Sequence, residues 1–267
     1  MRGWLPSLAA IAVLSSAVLA ETVEPSAPHP PRANVKIEKT FVTRLPGGQI
    51  SANDEVALAE TRLFESVPDD IESYFDLFLY VSKARDGALA QRMFIFERGG
   101  DGIVRPTVQW LVSTGREKRE KYFTSTPEGV FKVDRDRLFD HWHSRTWDAP
   151  MPYTMFLDFV KAGRKTGIAI HGTTRSHFDE LGTRASGGCI RLHPEHAKAL
   201  LNLMRQDMMG LVPVFAFDTA GETTARDGAV VRTETGTLQL QPGLKVLLLV
   251  ENFDGGPEPV LAPVIAF

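Results

Sequence analysis

The sequence of 267 residues contains a single cysteine, Cys189. One cysteine cannot form an intramolecular disulfide, and by itself it cannot supply a cysteine-based zinc cage. The chain is therefore not a disulfide-stabilised scaffold. Because free cysteines are among the residues most often found buried, Cys189 is either an inert core thiol or a working one.

The chain also lacks an excess of charge of either sign. It has 30 Lys and Arg residues against 33 Asp and Glu, a net charge of −3, whereas nucleic-acid-binding domains carry a basic excess. Hydrophobic residues make up 43% of the sequence and charged residues 24%, which excludes a disordered or collagen-like chain. We therefore predict a folded protein with no nucleic-acid partner.

Long hydrophobic runs are absent after the first twenty residues. Residues 1–20 combine a basic Arg2, an uncharged apolar stretch and small residues before Glu21, which predicts a cleavable signal peptide. The apolar stretch is short for a membrane span, which needs about 20 residues, and an uncleaved N-terminal anchor is the alternative interpretation. Since no cysteine lies at the cleavage site, lipid attachment there is excluded. We expect an exported protein in a bacterial periplasm.

Composition and the predicted helices and strands together divide the rest of the chain into four parts. Prolines make residues 21–35 a stiff linker, and residues 36–74 form an N-terminal flanking segment with a predicted helix over 51–65. Residues 75–218 are the predicted main domain, and residues 219–267 are a β-rich extension.

Short strands dominate the predicted secondary structure. In the main domain they are expected at 77–81, 92–97, 108–113, 129–133, 167–170 and 212–217, and in the extension at 245–250 and 264–267. Without a long alternation of strands and helices, this pattern favours a mainly β or α+β fold. The main helix is expected to begin at Pro194 and to end near Gly210, with one apolar face formed by Ala197, Leu200, Leu201, Met204 and Met208.

The residues around Cys189 offer what a thiol nucleophile needs: a base, donors for an oxyanion, and access. His171 ends a predicted strand next to Gly172, where its side chain can face a cleft. Gly187 and Gly188 remove side chains just before the thiol, and their N–H groups, with that of Cys189, can form an oxyanion nest. The predicted helix that follows lowers the pKa of a thiol at its start.

Five ordered blocks of sequence resemble the catalytic signature of the L,D-transpeptidases, the YkuD domain. His171 lies in Ile-His-Gly-Thr, and eighteen residues later Cys189 lies in Ser-Gly-Gly-Cys-Ile-Arg-Leu. The three other blocks are Val-Ser-Thr-Gly-Arg at 112–116, Thr-Pro-Glu-Gly-Val-Phe at 126–131 and Met-Pro-Tyr at 151–153. Together they cover roughly residues 75 to 218. The resemblance implies an L,D-transpeptidase-like β-sandwich with a helix after the catalytic cysteine.

The resemblance also implies roles for these residues in a peptidoglycan enzyme without a cofactor. Cys189 is the nucleophile that attacks the diamino acid–D-Ala bond of a tetrapeptide stem, and His171 is its base. The acyl group then passes to an amine, on a second stem or on an outer-membrane lipoprotein. Tyr153 forms a wall of the donor cleft. Oxyanion or positioning roles are implied for five residues: Gly188, Gly187, Arg191, Ser186 and Gly172.

Three of these positions leave questions open. The family usually has His, or sometimes Lys, between the Ser and the Gly of the cysteine block, where this chain has Gly187, so substrate positioning is expected to differ. Arg191 holds either the loop or a carboxylate of the stem. Ser186 is also compatible with a role confined to the loop backbone.

Three other functions compete with acyl transfer to an amine. Water in place of the amine would make the chain an L,D-carboxypeptidase or a hydrolase of protein–peptidoglycan links. A peptidoglycan-binding module with an inactive site is the second, and Gly187 is its only hint. A zinc protein that uses Cys189 with His177, His193 and His196 is the third, but the spacing of these histidines does not match the His-Glu-x-x-His pattern, and we predict no metal site.

Overall fold

A computed structural model describes residues 52–120 and 124–256. The predicted signal peptide at 1–20, the linker at 21–35 and the predicted strand at 264–267 lie outside the described residues. Among the helices that are described, none is long and apolar enough to cross a membrane.

The described chain is mostly β, with its main helix directly after the Cys189 region, which confirms the predicted fold class. The helices are α1 (Ala52–Ser66), α2 (Asp69–Glu72) and α3 (Pro194–Asp207), and a 3-10 turn spans Arg175–Glu180. The first seven strands are β1 (Leu77–Ser82), β2 (Arg92–Arg98), β3 (Val104–Leu111), β4 (Gly129–Ser144), β5 (Ala149–Leu157), β6 (Val160–Lys161) and β7 (Arg164–Lys165). The others are β8 (Ala169–Gly172), β9 (Ile190–Leu192), β10 (Met209–Pro213), β11 (Phe217–Asp218), β12 (Thr223–Thr224), β13 (Leu240–Leu244) and β14 (Val246–Glu251).

An eight-stranded sheet with the order β3-β2-β1-β14-β4-β5-β8-β9 forms the centre of the molecule. Strand β14 pairs in parallel with β1, from Leu77↔Val246 to Ser82↔Glu251, and antiparallel with β4. Its run Val-Leu-Leu-Leu-Val is buried, as expected of a strand covered on both faces. The C-terminal segment therefore supplies a central strand of the sheet.

Two apolar layers cover the two faces of this sheet. Alternate residues of β1 point to opposite faces, so Leu79 joins one cluster and Phe78 joins the other. Helix α3 closes the first cluster, and all the residues of its predicted apolar face are buried, which confirms that face. Helix α1 closes the second cluster through Ala59 and Leu63.

Some predicted boundaries were wrong. Strand β3 lies at 104–111 rather than 108–113, and β4 continues to Ser144 rather than ending at 133. Gly210 does not end helix α3, which ends at Asp207; it lies in β10 and pairs with Gly243 of β13. Pairing between distant segments sets these boundaries, and local composition does not record it.

Three features of the fold position the site. Strands β5, β8 and β9 lie together at one edge of the large sheet, with Ile170 paired to both Met155 and Ile190. Strands β4 and β5 form a long hairpin whose tip is residues 145–148. The 3-10 turn lies between β8 and β9 in the chain.

Candidate active site

Strand register places the side chains of Cys189 and His171 on the same face of the sheet. Ile170 pairs with Ile190 in the parallel β8–β9 ladder, so Cys189 lies opposite Ala169. Residues two apart on a strand share a face, and His171 therefore points to the same side as Ala169 and Cys189. Cys189 indeed packs against the small apolar cluster that contains Ala169.

Backbone carbonyls hold the side chains of both candidate catalytic residues. The Cys189 Sγ donates to the Gly167 carbonyl at 3.4 Å, and the His171 Nδ1 lies 2.9 Å from the Gly172 carbonyl. Because a carbonyl only accepts, Nδ1 carries the proton and Nε2 is left as the basic nitrogen. Within the described residues no hydrogen bond joins the imidazole to Sγ.

Burial keeps both groups neutral near pH 7. It lowers the pKa of His171 to about 4, against the opposing effect of the Gly172 carbonyl. It raises the pKa of the Cys189 thiol to about 11, although a backbone hydrogen bond at Ala169 and the charge of Arg191 act in the opposite direction. The pair at rest is therefore a thiol and a neutral imidazole.

Gly172 is required by close packing behind the histidine. A Cβ at this position would lie 3.0 Å from the Cα of Pro194 and 3.2 Å from the carbonyl oxygen of Pro152. The same residue provides the carbonyl that orients His171. Gly172 therefore packs behind His171 and also orients its ring.

Ser186 fixes the loop that carries the thiol. Its hydroxyl donates to the Cys189 carbonyl at 2.5 Å and accepts from the Gly188 N–H at 3.0 Å. The Gly188 amide is thus already occupied, which corrects its expected oxyanion role. Gly188 is needed instead for its backbone, with φ of +126°, a region that favours glycine.

The family-like blocks at 112–116 and 126–131 brace this loop from outside. Thr126 donates to the Gly188 carbonyl at 2.9 Å and accepts from the Gly115 N–H at 2.8 Å. The Thr114 carbonyl accepts from the Ser186 N–H at 2.8 Å. Conformation of the cysteine loop is therefore set by segments more than 60 residues away in the chain.

Gly187 makes room for an indole ring. A Cβ at position 187 would lie 2.7 to 2.9 Å from three ring atoms of Trp147, at the tip of the β4–β5 hairpin. The Arg116 guanidinium lies 5.6 Å from the centre of the same ring. The departure from the usual His is thus matched by a tryptophan that covers the loop beside the thiol.

Arg191 connects the cysteine loop to the 3-10 turn, and its guanidinium is already paired. Its guanidinium donates to Glu180 of the 3-10 turn at 2.6 Å, and its backbone exchanges two hydrogen bonds with Ser113. Its charge is therefore already compensated by a carboxylate.

Tyr153 does not form a wall of the cleft, contrary to the prediction. It is absent from the residues that line the cavity and packs against the main core cluster. Its φ of +54° interrupts the regular alternation of β5. Two tryptophans of the same hairpin, Trp142 and Trp147, line the cavity instead.

A cavity of about 1820 Å³ opens beside the thiol. Of the predicted site residues, it brings together Cys189, His171, Gly187 and Arg191, whereas Ser186, Gly188 and Gly172 lie behind this surface. Four further residues that line the cavity were not predicted from the sequence: Arg137, Thr166 and the two tryptophans. The aromatic and basic residues concentrated between 137 and 147 were the available signal.

The three histidines considered for zinc have other contacts. His177 pairs with Glu180 at 3.0 Å, His193 accepts from the Glu195 N–H at the start of α3, and His196 stacks on Trp110 with ring centres 4.7 Å apart. The described part of the chain contains no group of three or more His, Cys, Asp or Glu residues that could hold a metal ion.

Solved structures with similarity to this chain include several L,D-transpeptidases. One from Mycobacterium smegmatis has 13% identity and a TM-score of 0.39, and the match covers 66% of this chain and 59% of that one. One from Stackebrandtia nassauensis has 21% identity and a TM-score of 0.35, with 59% and 65% covered. The helical cell shape determining protein Pgp2 from Campylobacter jejuni has 15% identity and a TM-score of 0.36, with 66% and 47% covered.

This chain therefore spans less than two thirds of the length of each of these structures. No curated protein gave a significant match. The family model of the L,D-transpeptidase catalytic domain, YkuD, matches residues 83–234. Because that match covers more than half of the sequence and contains both His171 and Cys189, the chain belongs to the L,D-transpeptidase catalytic domain family.

Proposed function

We propose that this protein is a peptidoglycan L,D-transpeptidase with Cys189 as nucleophile and His171 as general base. The observation that carries the proposal is the shared face of these two side chains, which open together on one cavity. A thiol and an imidazole with one unprotonated nitrogen are the pair that acyl transfer through a thioester requires.

In the first step the Cys189 Sγ attacks the carbonyl carbon of the diamino acid that precedes D-Ala. The thiol proton passes to Nε2 of His171, and the new S–C bond replaces the C–N bond as that proton moves to the departing amine of D-Ala. The thiolate–imidazolium pair formed on the way gains mutual attraction, which offsets the burial that keeps the resting pair neutral.

The oxyanion of this step needs a donor other than Gly188, whose amide is bound to Ser186. The Cys189 N–H is the candidate, since no hydrogen bond is found for it within the described residues. A well-placed donor of this kind contributes roughly 3 to 4 kcal/mol to the transition state.

In the second step an amine attacks the thioester, its proton passes through His171, and the thiol is restored. The acceptor is a second stem peptide, which gives a cross-link, or an amine of an outer-membrane lipoprotein. Action on peptidoglycan outside the cytoplasm fits the signal peptide proposed at residues 1–20 and the linker at 21–35.

Incubation of the purified protein with disaccharide-tetrapeptides, followed by mass spectrometry, tests this function. Cross-linked dimers with free D-Ala support transfer, whereas tripeptide with free D-Ala and no dimer supports the hydrolase. Cys189→Ala is the control and is expected to release no D-Ala. Absence of both products from the unmodified protein would count against catalysis and leave the inactive peptidoglycan-binding module.

A further inference from the structure

The cavity beside the thiol is strongly basic in a chain of net negative charge. Seven Arg and Lys residues line it, against two Asp and no Glu, whereas the whole chain carries a net charge of −3. Clefts lined by charge of one sign concentrate ligands of the opposite sign. The cavity is therefore suited to an anionic ligand.

The cations of the cavity differ in whether a carboxylate already compensates them. Arg191 pairs with Glu180, Arg116 with Glu120 and Lys165 with Asp134. Four cations of the cavity have no carboxylate partner among residues 52–120 and 124–256. Arg137 is the half-buried one, whereas Arg145, Lys161 and Arg226 are exposed.

Arg137 is held rigidly by other contacts. Its guanidinium carbon lies 3.8 Å from the ring centre of Phe156, and Nη1 donates to the Thr166 carbonyl at 3.1 Å. The contact with the ring fixes the orientation of the guanidinium, and the N–H groups that do not bind Thr166 remain available for a bidentate contact. These are the properties of a preformed carboxylate site.

Thr166, next to Arg137, has an unpaired hydroxyl. It lines the cavity, and its buried hydroxyl makes no hydrogen bond in the described part of the chain. Buried polar atoms in proteins nearly always have a partner. A rotation of the Thr166 side chain would expose this unpaired hydroxyl to the cavity, where it could donate to a group bound beside Arg137.

The distance from Arg137 to the thiol suits a stem peptide. Arg137 binds the carbonyl of Thr166 and Cys189 binds the carbonyl of the next residue, Gly167, so the guanidinium and Sγ lie within about 12 Å. In the proposed substrate, the far carboxylate of the diamino acid lies about 8 Å from the carbon that Sγ attacks.

We propose that Arg137 and Thr166 form a carboxylate-binding subsite that holds the acyl-donor stem in the catalytic cleft. This inference rests on the proposed function, and it assigns to Arg137 the carboxylate contact that the sequence left open for Arg191. The stem carries three free carboxylates. That of D-Ala departs with the leaving group, and we assign the subsite to that of the diamino acid or that of the glutamate residue.

Three synthetic tetrapeptides distinguish these sources: the free acid, the stem amidated at the diamino acid, and the stem amidated at the glutamate. D-Ala release is measured for the unmodified protein, Arg137→Gln, Arg137→Lys and the control Arg135→Gln, an exposed arginine on the same strand. Binding of the same peptides to Cys189→Ala, with and without Arg137→Gln, is measured by calorimetry.

We expect one of the two amidations to lower kcat/KM roughly 10- to 100-fold, the range for a lost hydrogen bond to a charged group. On the stem with free carboxylates, Arg137→Gln should lower kcat/KM by a similar factor. On the stem whose amidation already lowers kcat/KM, Arg137→Gln should lower it little further. The kcat/KM of Arg137→Lys should lie between those of Arg137→Gln and the unmodified protein. Arg135→Gln should leave kcat/KM unchanged.

Equal rates on all three stems, or equal rates for Arg137→Gln and the unmodified protein, would overturn the subsite and leave the proposed function standing. If no stem releases D-Ala, the proposed function fails, and binding to Cys189→Ala decides the subsite. If Arg137→Gln in the Cys189→Ala protein weakens binding of the stem with free carboxylates about tenfold or more, the subsite is supported. Equal affinity of the two proteins, or no binding to either, would overturn the subsite.

Discussion

At the scale of single residues, the two groups proposed to react, Cys189 and His171, are both neutral at rest. Cys189 and His171 are both shifted by burial in the direction that disfavours charge. A resting site of this kind limits reaction of the thiol with solutes other than the substrate, because the thiolate is the reactive form.

Alkylation of the only cysteine measures the shift in the thiol directly. Since burial raises the pKa of Cys189 to about 11, we expect the rate of reaction with iodoacetamide to keep rising with pH up to about 11. For an ordinary thiol, the rate of alkylation reaches a plateau above the pKa of about 8.5. A profile that reaches its plateau below pH 9 would show that Cys189 is not desolvated in this way.

Burial of His171 also makes stability depend on pH. The pKa is lowered from 6.5 to about 4 in the folded protein, so the unfolded chain binds a proton at higher pH than the folded one. Stability is therefore expected to fall as pH drops from 6.5 towards 4, by about 3 kcal/mol from this residue. Measured by urea unfolding, the free energy of unfolding should fall less between pH 6.5 and pH 4 for His171→Gln than for the unmodified protein. An identical fall in both proteins would contradict the lowered pKa of His171.

At the scale of elements, a loop and a hairpin meet across the cleft. The loop 186–188 is shaped by Ser186 and lies under the tip of the β4–β5 hairpin, where the Trp147 ring takes the space that a side chain at 187 would occupy. The departure at Gly187 and the tryptophan are thus two parts of one contact.

A pair of substitutions tests that contact. Gly187→Ala is expected to push the indole away and to lower kcat/KM about tenfold or more, as displacements near 1 Å in active sites do. Trp147→Ala in the same protein should recover part of the loss, because the clash is then removed. Gly100→Ala is the control, since a Cβ there meets nothing within 4 Å; additive losses would contradict the coupling.

Loss of the Ser186 hydroxyl should loosen the thiol loop. Ser186→Ala leaves the buried Gly188 N–H without its acceptor, which costs about 1 to 3 kcal/mol. We expect a lower melting temperature and reduced D-Ala release, both measured beside Ser176→Ala, an exposed serine of the 3-10 turn. Unchanged values for Ser186→Ala would contradict the bracing role.

At the scale of the whole molecule, strands far apart in sequence complete the domain. The family model covers residues 83–234, yet β1 and β14 lie outside that range and form the middle of the large sheet. The isolated segment 83–234 is therefore expected not to fold. Circular dichroism should show no cooperative melting for this segment, unlike the whole chain; a cooperative transition would contradict the central role of β14.

The same contrast explains what the sequence could predict. The fold class, most strands and helix α3 follow from local periodicity, and the family is indicated by the order and spacing of the sequence blocks. The position of β14, the occupied Gly188 amide, the Glu180 partner of Arg191 and the core position of Tyr153 depend on contacts between distant segments. Local patterns carry no record of those contacts, so they emerged only from the structure.

The intact mass of the protein during reaction with a tetrapeptide shows whether Cys189 forms the proposed thioester with the stem peptide. We expect a mass increase equal to the tripeptide acyl group, located on Cys189, with release of one D-Ala and no adduct on Cys189→Ala. D-Ala release by Cys189→Ala at the rate of the unmodified protein would contradict it.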